Sequence, residues 1–282
     1  MFDAVRPRPK RRGMLWLLVG ASIVLGGGIV AWRLREAAPP PAPPRATATA
    51  GPTAPVVAPG SMVRLAAGRV RVGSDDGDPD ERPRREVDVA AFELDALEVT
   101  VADYRRCVAA GACAPSGPGA DCNGAERPSH PVDCVGWDDA TAFCAWAGKR
   151  LPTELEWEYA ARGPEGRTYP WGEAPPAHRA CWSGEGSAAG REQRTTCVVG
   201  THPDGATPQG IHDLAGNVWE WTADPYCPYD APGCIDERRV FRGGGFNNFV
   251  SQYLRSADRT RDKPTTRNGN LGFRCARSVG RE

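Results

Sequence analysis

The sequence predicts an α+β domain, loop-rich and cystine-stapled, carried behind one N-terminal transmembrane helix. Three observations predict it. All ten cysteines lie beyond residue 100 of a 282-residue chain. Short alternating apolar runs are interspersed with three helical segments that carry their own start and stop signals. Gly (33) and Pro (27) are both abundant, so much of the chain must run outside regular elements.

Residues 14–32, MLWLLVGASIVLGGGIVAW, are 19 uncharged and mostly apolar residues, close to the ~20 needed to span a bilayer core. Arg6, Arg8, Lys10, Arg11 and Arg12 precede the run, and only Arg33 and Arg35 follow closely. That asymmetry predicts a cytoplasmic basic tail at 1–13, a single-pass anchor at 14–32, and everything after it outside, periplasmic in a Gram-negative cell. A cleaved signal peptide has a shorter apolar region, of roughly 7–15 residues, and a small-residue cleavage site that AWRLRE does not offer. Residues 33–60 form a Pro/Ala-rich linker. From residue 37 they read AAPPPAPPRATATAGPTAPVVAPG, which holds no periodic apolar face. At ~3.1 Å per residue, such a spacer could hold the domain at 61–282 up to roughly 75 Å from the membrane.

Lys+Arg and Asp+Glu are equal at 35 each. No basic face of the kind nucleic acid requires is expected. Within the domain, 62–74 and 85–100 read as strands around the polar loop DDGDPDERPR. Thr100 starts a helix with Asp103 three residues on, and Gly111 ends it. A second helix is expected over about 138–147, stopped by Gly148. The third has a full capping box, Thr153 with Glu156, and stops at Gly163. From 163 to about 211 there is little periodicity, and a structureless stretch that long needs a cystine or a bound cation to order it. Strand-like pieces follow at 217–224, 239–244 and 270–278.

Five strings then occur in order: VDCVGWDDATAFCAWAGKRLPTELEWEYAARG (132–163), YPWGE (169–173), GIHDLAGNVWEWTAD (210–224), FRGGGFN (241–247) and LGFRCA (271–276). Together with AAGRVRVGSDD and FELDALEVTVADYRRC, they make the chain resemble the formylglycine-generating, or sulfatase-modifying factor, family over about 62–279. The resemblance implies a C-type-lectin-like fold of low regular content, often with bound calcium. In that family a GGS-aromatic segment precedes two reactive cysteines that hold copper as thiolates, as soft Cu(I) prefers. Here the segment is Gly243-Gly244-Gly245-Phe246, and the two cysteine positions fall on Asn248 and Tyr253. No copper is therefore expected.

The family's calcium loop matches Asp213, Gly216, Val218 and Glu220: two side-chain donors and two carbonyls, the oxygen set a hard cation favours. The resemblance also pairs Cys144 with Cys275. The other eight cysteines pair most simply as neighbours, Cys107 with Cys113, Cys122 with Cys134, Cys181 with Cys197 and Cys227 with Cys234, although spacing alone leaves connectivity open. His130, His178, His202 and His212 lack the spacing of a zinc pair. Arg255, Arg259 and Arg274 are expected to partner buried carboxylates or carbonyls. Trp137, Trp146, Trp157, Trp219 and Trp221 are expected to pack, with a lectin-like groove as the alternative use.

The expectation is a membrane-anchored, exported, non-catalytic binding or scaffold module with calcium. Its partners are expected to be the membrane, through the N-terminal helix, and an exported protein or a carbohydrate. The alternative is a metal-dependent oxidase of the same family using a non-cysteine site.

Overall fold

The computed structural model describes residues 57–119, 121–190, 193–231 and 233–280. The expected tail, anchor and most of the linker lie outside these. Among the described residues no helix is long and apolar enough to cross a membrane.

Among the described residues, nine short strands and three α-helices, with a few single-turn 3-10 helices, make up the regular structure: β1 (Met62–Leu65), β2 (Gly68–Val72), β3 (Arg85–Val89), β4 (Phe92–Asp95), α1 (Val101–Ala109), α2 (Trp137–Trp146), α3 (Glu154–Arg162), β5 (Trp219–Pro225), β6 (Arg239–Arg242), β7 (Arg259–Asp262), β8 (Leu271–Gly272) and β9 (Ala276–Ser278). Three sheets result: β1-β4-β9, β2-β3, and β7-β6-β5-β8. All pairings are antiparallel except β5 with β8. The first sheet joins the two ends of the domain, since Phe92 lies opposite Ser278.

The helix signals act as physical chemistry requires. The Thr100 Oγ1 accepts from the Asp103 N–H at 3.1 Å and donates to its carboxylate at 2.8 Å. In α3, Thr153 and Glu156 satisfy each other's backbone N–H groups at 3.1 and 2.9 Å, so two otherwise orphaned donors are paired. Helix α2 starts at Trp137, just ahead of the expected position, because the Asp139 carboxylate accepts from the Gly136 N–H at 2.7 Å. Strand β7 has no counterpart in the sequence reading. Its RTRD shows no apolar alternation, and its place is set by pairing with β6.

Apolar burial forms three clusters. One packs Tyr104, Phe143, Trp221 and Phe273 between α1, α2 and the four-stranded sheet. The second sets Trp157 of α3 against Val70, Phe92, Leu94 and Leu214. The third, smaller cluster joins Tyr169, Trp182 and Leu254. Trp157 and Trp221 are wholly buried, whereas Trp146 is exposed.

Five cystines staple the irregular regions: Cys107–Cys113, Cys122–Cys134, Cys144–Cys275, Cys181–Cys197 and Cys227–Cys234. No cysteine is free among the described residues. The aperiodic stretch after Gly163 is ordered by Cys181–Cys197, with the Gln193 Nε2 3.5 Å from each sulfur.

Candidate binding groove and acidic centre

The chain leaves β6 through Gly243 (φ 99°) and Gly244 (φ 77°), backbone geometry that disfavours any side chain. A Cβ on Gly244 would stand 2.8 Å from the Tyr253 carbonyl oxygen. This turn delivers Phe246, Asn247 and Phe249 to one wall of a cavity of about 730 Å³. The Phe246 N–H is held by the Asn217 carbonyl at 2.7 Å, and the Asn248 Oδ1 accepts from the Gly245 N–H at 2.7 Å. Asn248 is thus a turn-closing amide. Tyr253 is exposed, its ring edge-on to Trp219 at 6.5 Å between centroids. A carboxamide and a phenol supply no thiolate, so the residues at these positions do not fit the family's copper.

The cavity itself is lined by carboxamides and aromatic rings: Gln193, Asn247, Asn268, Asn270, Phe246 and Phe249. Asn270 donates to the Asn247 Oδ1 at 3.0 Å, so the two amides form one bonded pair on the rim. Phe249 is 63% exposed, a large ring left in water. Asp121 and Arg194 also line the cavity, giving the groove both charge signs at its edge. Gln193, Asn268 and Asn270 lie outside the sequence motifs that mark the site. Their signal is faint, an amide-rich run (RNGN) just before the LGFRCA string.

Behind the groove lies a buried acidic centre. Arg274 clamps Glu220 through Nε at 2.8 Å and Nη2 at 2.7 Å, and the Trp157 indole N–H adds a third bond at 2.8 Å. Both oxygens of Glu220 are engaged in this way. Asp213 accepts from the Gly200 N–H at 2.6 Å. A further acid, Glu98, was not anticipated. It accepts from the Asn217 side chain at 2.6 Å and from the Val218 N–H at 3.3 Å. Burial, with Asp213 and Glu220 nearby, pushes its carboxyl well above the usual range. Its signal was an acid inside the apolar run of LEVTV. Asp213 and Asn217 hold positive φ (56° and 60°), which aims the Gly216–Val218 backbone around the acids.

The expected arginine roles are filled. Arg259 grips Glu154 at 2.6 and 2.7 Å, and Arg255 holds Glu81 at 2.5 and 2.9 Å. Buried Arg242 joins Glu158 and also stands 3.3 Å from Glu154. The histidines are scattered. His130 meets Thr196 at 2.8 Å and His178 lies 3.5 Å from Asp204.

The fold and the site define a class: a loop-rich α+β, cystine-stapled domain whose motif turn carries a carboxamide and a phenol in place of thiols. Residues 47–279 match the sulfatase-modifying factor enzyme 1-like domain, and the chain belongs to that family. It is 34% identical to the inactive C-alpha-formylglycine-generating enzyme 2 of Bos taurus, over 78% of this chain and 89% of that protein. It is 42% identical to the formylglycine-generating enzyme of Streptomyces coelicolor over a shorter span, 57% of this chain and 56% of that one. Among solved structures, PvdO from Pseudomonas aeruginosa superposes with a TM-score of 0.63 at 27% identity, covering 77% of this chain and 94% of its own.

Proposed function

We propose that this is a non-catalytic binding module, tethered to a membrane by residues 14–32 and displayed outside it on the Pro/Ala-rich linker, with a C-type-lectin-like fold. The single observation that carries the reading is the amide and aromatic lining of the groove whose wall residues Asn247 and Phe249 flank Asn248, one of the two positions where thiols are missing. Carboxamides donate and accept together, and exposed rings stack on flat apolar faces. Such a groove suits a neutral ligand rich in hydroxyls or amides: a carbohydrate, or a peptide segment of another exported protein. The likeness to a relative named inactive supports the absence of catalysis.

Calcium belongs to the same proposal. Glu98, Asp213 and Glu220 face one arginine, Arg274, in a buried centre, which leaves an excess of negative charge for a divalent cation to balance. With Glu220 committed to Arg274, Glu98 and Asp213 are the acids that would hold the ion, with the carbonyls of Gly216 and Val218. Bound calcium would order the loop and neutralise its acids.

The alternative, an oxidase with a non-cysteine site, has one cysteine-free donor set to draw on among the described residues. Oxygens of Asp78, Glu81 and Asp258 lie within 4.8 Å of one another. Arg255 already holds both oxygens of Glu81, and an all-oxygen set suits hard cations better than redox copper.

The test is calorimetric titration of the full chain with neutral oligosaccharides and with unstructured peptides. Binding by one class, weakened about tenfold (~1.4 kcal/mol) by Asn270→Ala or Phe249→Ala, supports the groove. Binding indifferent to both substitutions places the ligand elsewhere.

A further inference from the structure

The cystine Cys122–Cys134 differs from the other four in what stands beside it. One carboxylate oxygen of Asp133 lies within 4.8 Å of both its sulfurs. Among the described residues no other cystine has an acidic side chain so placed. Asp133 is fully buried. Its Oδ1 accepts a 2.7 Å hydrogen bond from the Asn123 N–H, while its Oδ2 has no hydrogen-bond partner. A buried carboxylate with one oxygen unpaired is costly, and holding a proton relieves that cost. Burial accordingly pushes this carboxyl up to about 7, where an acid both gives and takes protons readily at neutral pH.

The two sulfurs are not equivalent. Cys134 is buried at φ 54°, its N–H held by the Asn268 carbonyl at 3.0 Å. Cys122 is only part-buried, and its neighbour Asp121 forms part of the groove wall together with Asn268. A reagent arriving from the groove side therefore meets Cys122 first, with the other sulfur and the acid behind it. Thiol–disulfide exchange needs this order: an accessible sulfur to attack, and a leaving sulfur whose negative charge can be quenched.

We propose that Cys122–Cys134 is a reactive cystine that exchanges with thiols, with Asp133 as the proton donor and acceptor for the buried sulfur. The incoming thiolate bonds to the Cys122 Sγ, and the Cys122–Cys134 bond breaks. Its electron pair goes to the Cys134 Sγ, which takes the proton of Asp133. A second thiol then attacks the incoming sulfur of the mixed disulfide and releases Cys122, which is protonated. Two external thiols become one disulfide, and this cystine is reduced by two electrons to two thiols. In the reverse direction Asp133 removes the Cys134 proton. This chemistry does not rest on the neutral ligand proposed for the groove.

The experiment uses the full chain and reduced glutathione, with timed quenching by alkylation and peptide mass spectrometry. The internal control is Cys107–Cys113, a cystine with a shorter sequence separation. Cys122 and Cys134 should be labelled at least tenfold faster than that pair. After correction for the glutathione thiolate fraction, their rate should show an inflection near pH 7. Asp133→Asn, which keeps the bond to Asn123, should slow labelling about tenfold and erase the inflection, with unchanged circular dichroism. The proposal is overturned if the cystine is reduced no faster than Cys107–Cys113. It is equally overturned if the wild-type rate follows the glutathione thiolate alone, which can be read without any variant.

Discussion

Arg274 holds Glu220 in a two-point ion pair, 2.8 and 2.7 Å, with neither side chain open to water. The same guanidinium reaches the His212 and Asp95 carbonyls at 2.8 and 3.1 Å. One side chain thus ties the GFRC string to the NVWEW string and to the end of β4. Removing the acid leaves a buried cation uncompensated, at a cost of roughly 3–5 kcal/mol. Glu220→Ala should therefore lower the urea midpoint by a similar amount with calcium or with chelator. A loss seen only in calcium would return Glu220 to the role of cation ligand.

Glu98 gives the complementary test. If calcium occupies the acidic centre, chelator should lower the melting temperature of the wild-type chain. Glu98→Gln removes one of the two acids that no arginine clamps, so it should blunt the response to calcium while costing little in chelator. A wild-type melting temperature indifferent to chelator would remove calcium from the account.

The Cys144–Cys275 cystine joins α2 to the segment entering β9 across 131 residues. The chain-entropy model assigns such a closure roughly 5 kcal/mol. Replacing both cysteines by alanine should cost about that much in chemical unfolding. The same double replacement at Cys227–Cys234, which closes only seven residues, should cost distinctly less. Equal costs would show that local packing, not loop closure, sets the value.

Asp258 controls part of the pH dependence. Burial, reinforced by Glu81, raises its carboxyl to about 7 against the pull of Arg242 and Arg255. In the unfolded chain an aspartate titrates near ~3.9. Between these values the folded state keeps a proton that the unfolded state loses, so this contribution is full below about 4 and lost as pH rises through about 7. Asp258→Asn abolishes the titration. Unfolding at pH 5 and pH 7.5 should show the variant gaining on the wild type at the higher pH. A constant difference would mean that Asp258 titrates normally.

Much of this was legible from residue order. The capping box at Thr153 and Glu156 and the stops at Gly148 and Gly163 are local signals, and the helices formed where those signals stood. The cystine partners were readable because four pairs are neighbours along the chain and the fifth came with the family resemblance. What was hidden is long-range. Strand β7 is polar and exists only because β6 offers it an edge. Glu98 meets Asn217 across 119 residues, a distance over which no periodicity speaks. The Gln193–Asn268–Asn270 lining likewise joins loops far apart in sequence. The motif around Glu220 shows the acid without showing that Arg274 folds onto it.

The turn after β6 carries Asn248 and Tyr253 where the resembling family carries thiols. Asn248 spends its amide oxygen on the Gly245 N–H, Tyr253 packs against Trp219, and no cysteine is free among the described residues. The most direct measurement incubates the full chain, supplied with copper and reductant, with a peptide carrying a sulfatase-type cysteine motif, and reads the peptide by mass spectrometry. The account predicts an unchanged cysteine at every time point, with an active formylglycine-generating enzyme converting the same peptide in parallel. An aldehyde formed by this chain, at turnover above the protein-free control, would contradict it.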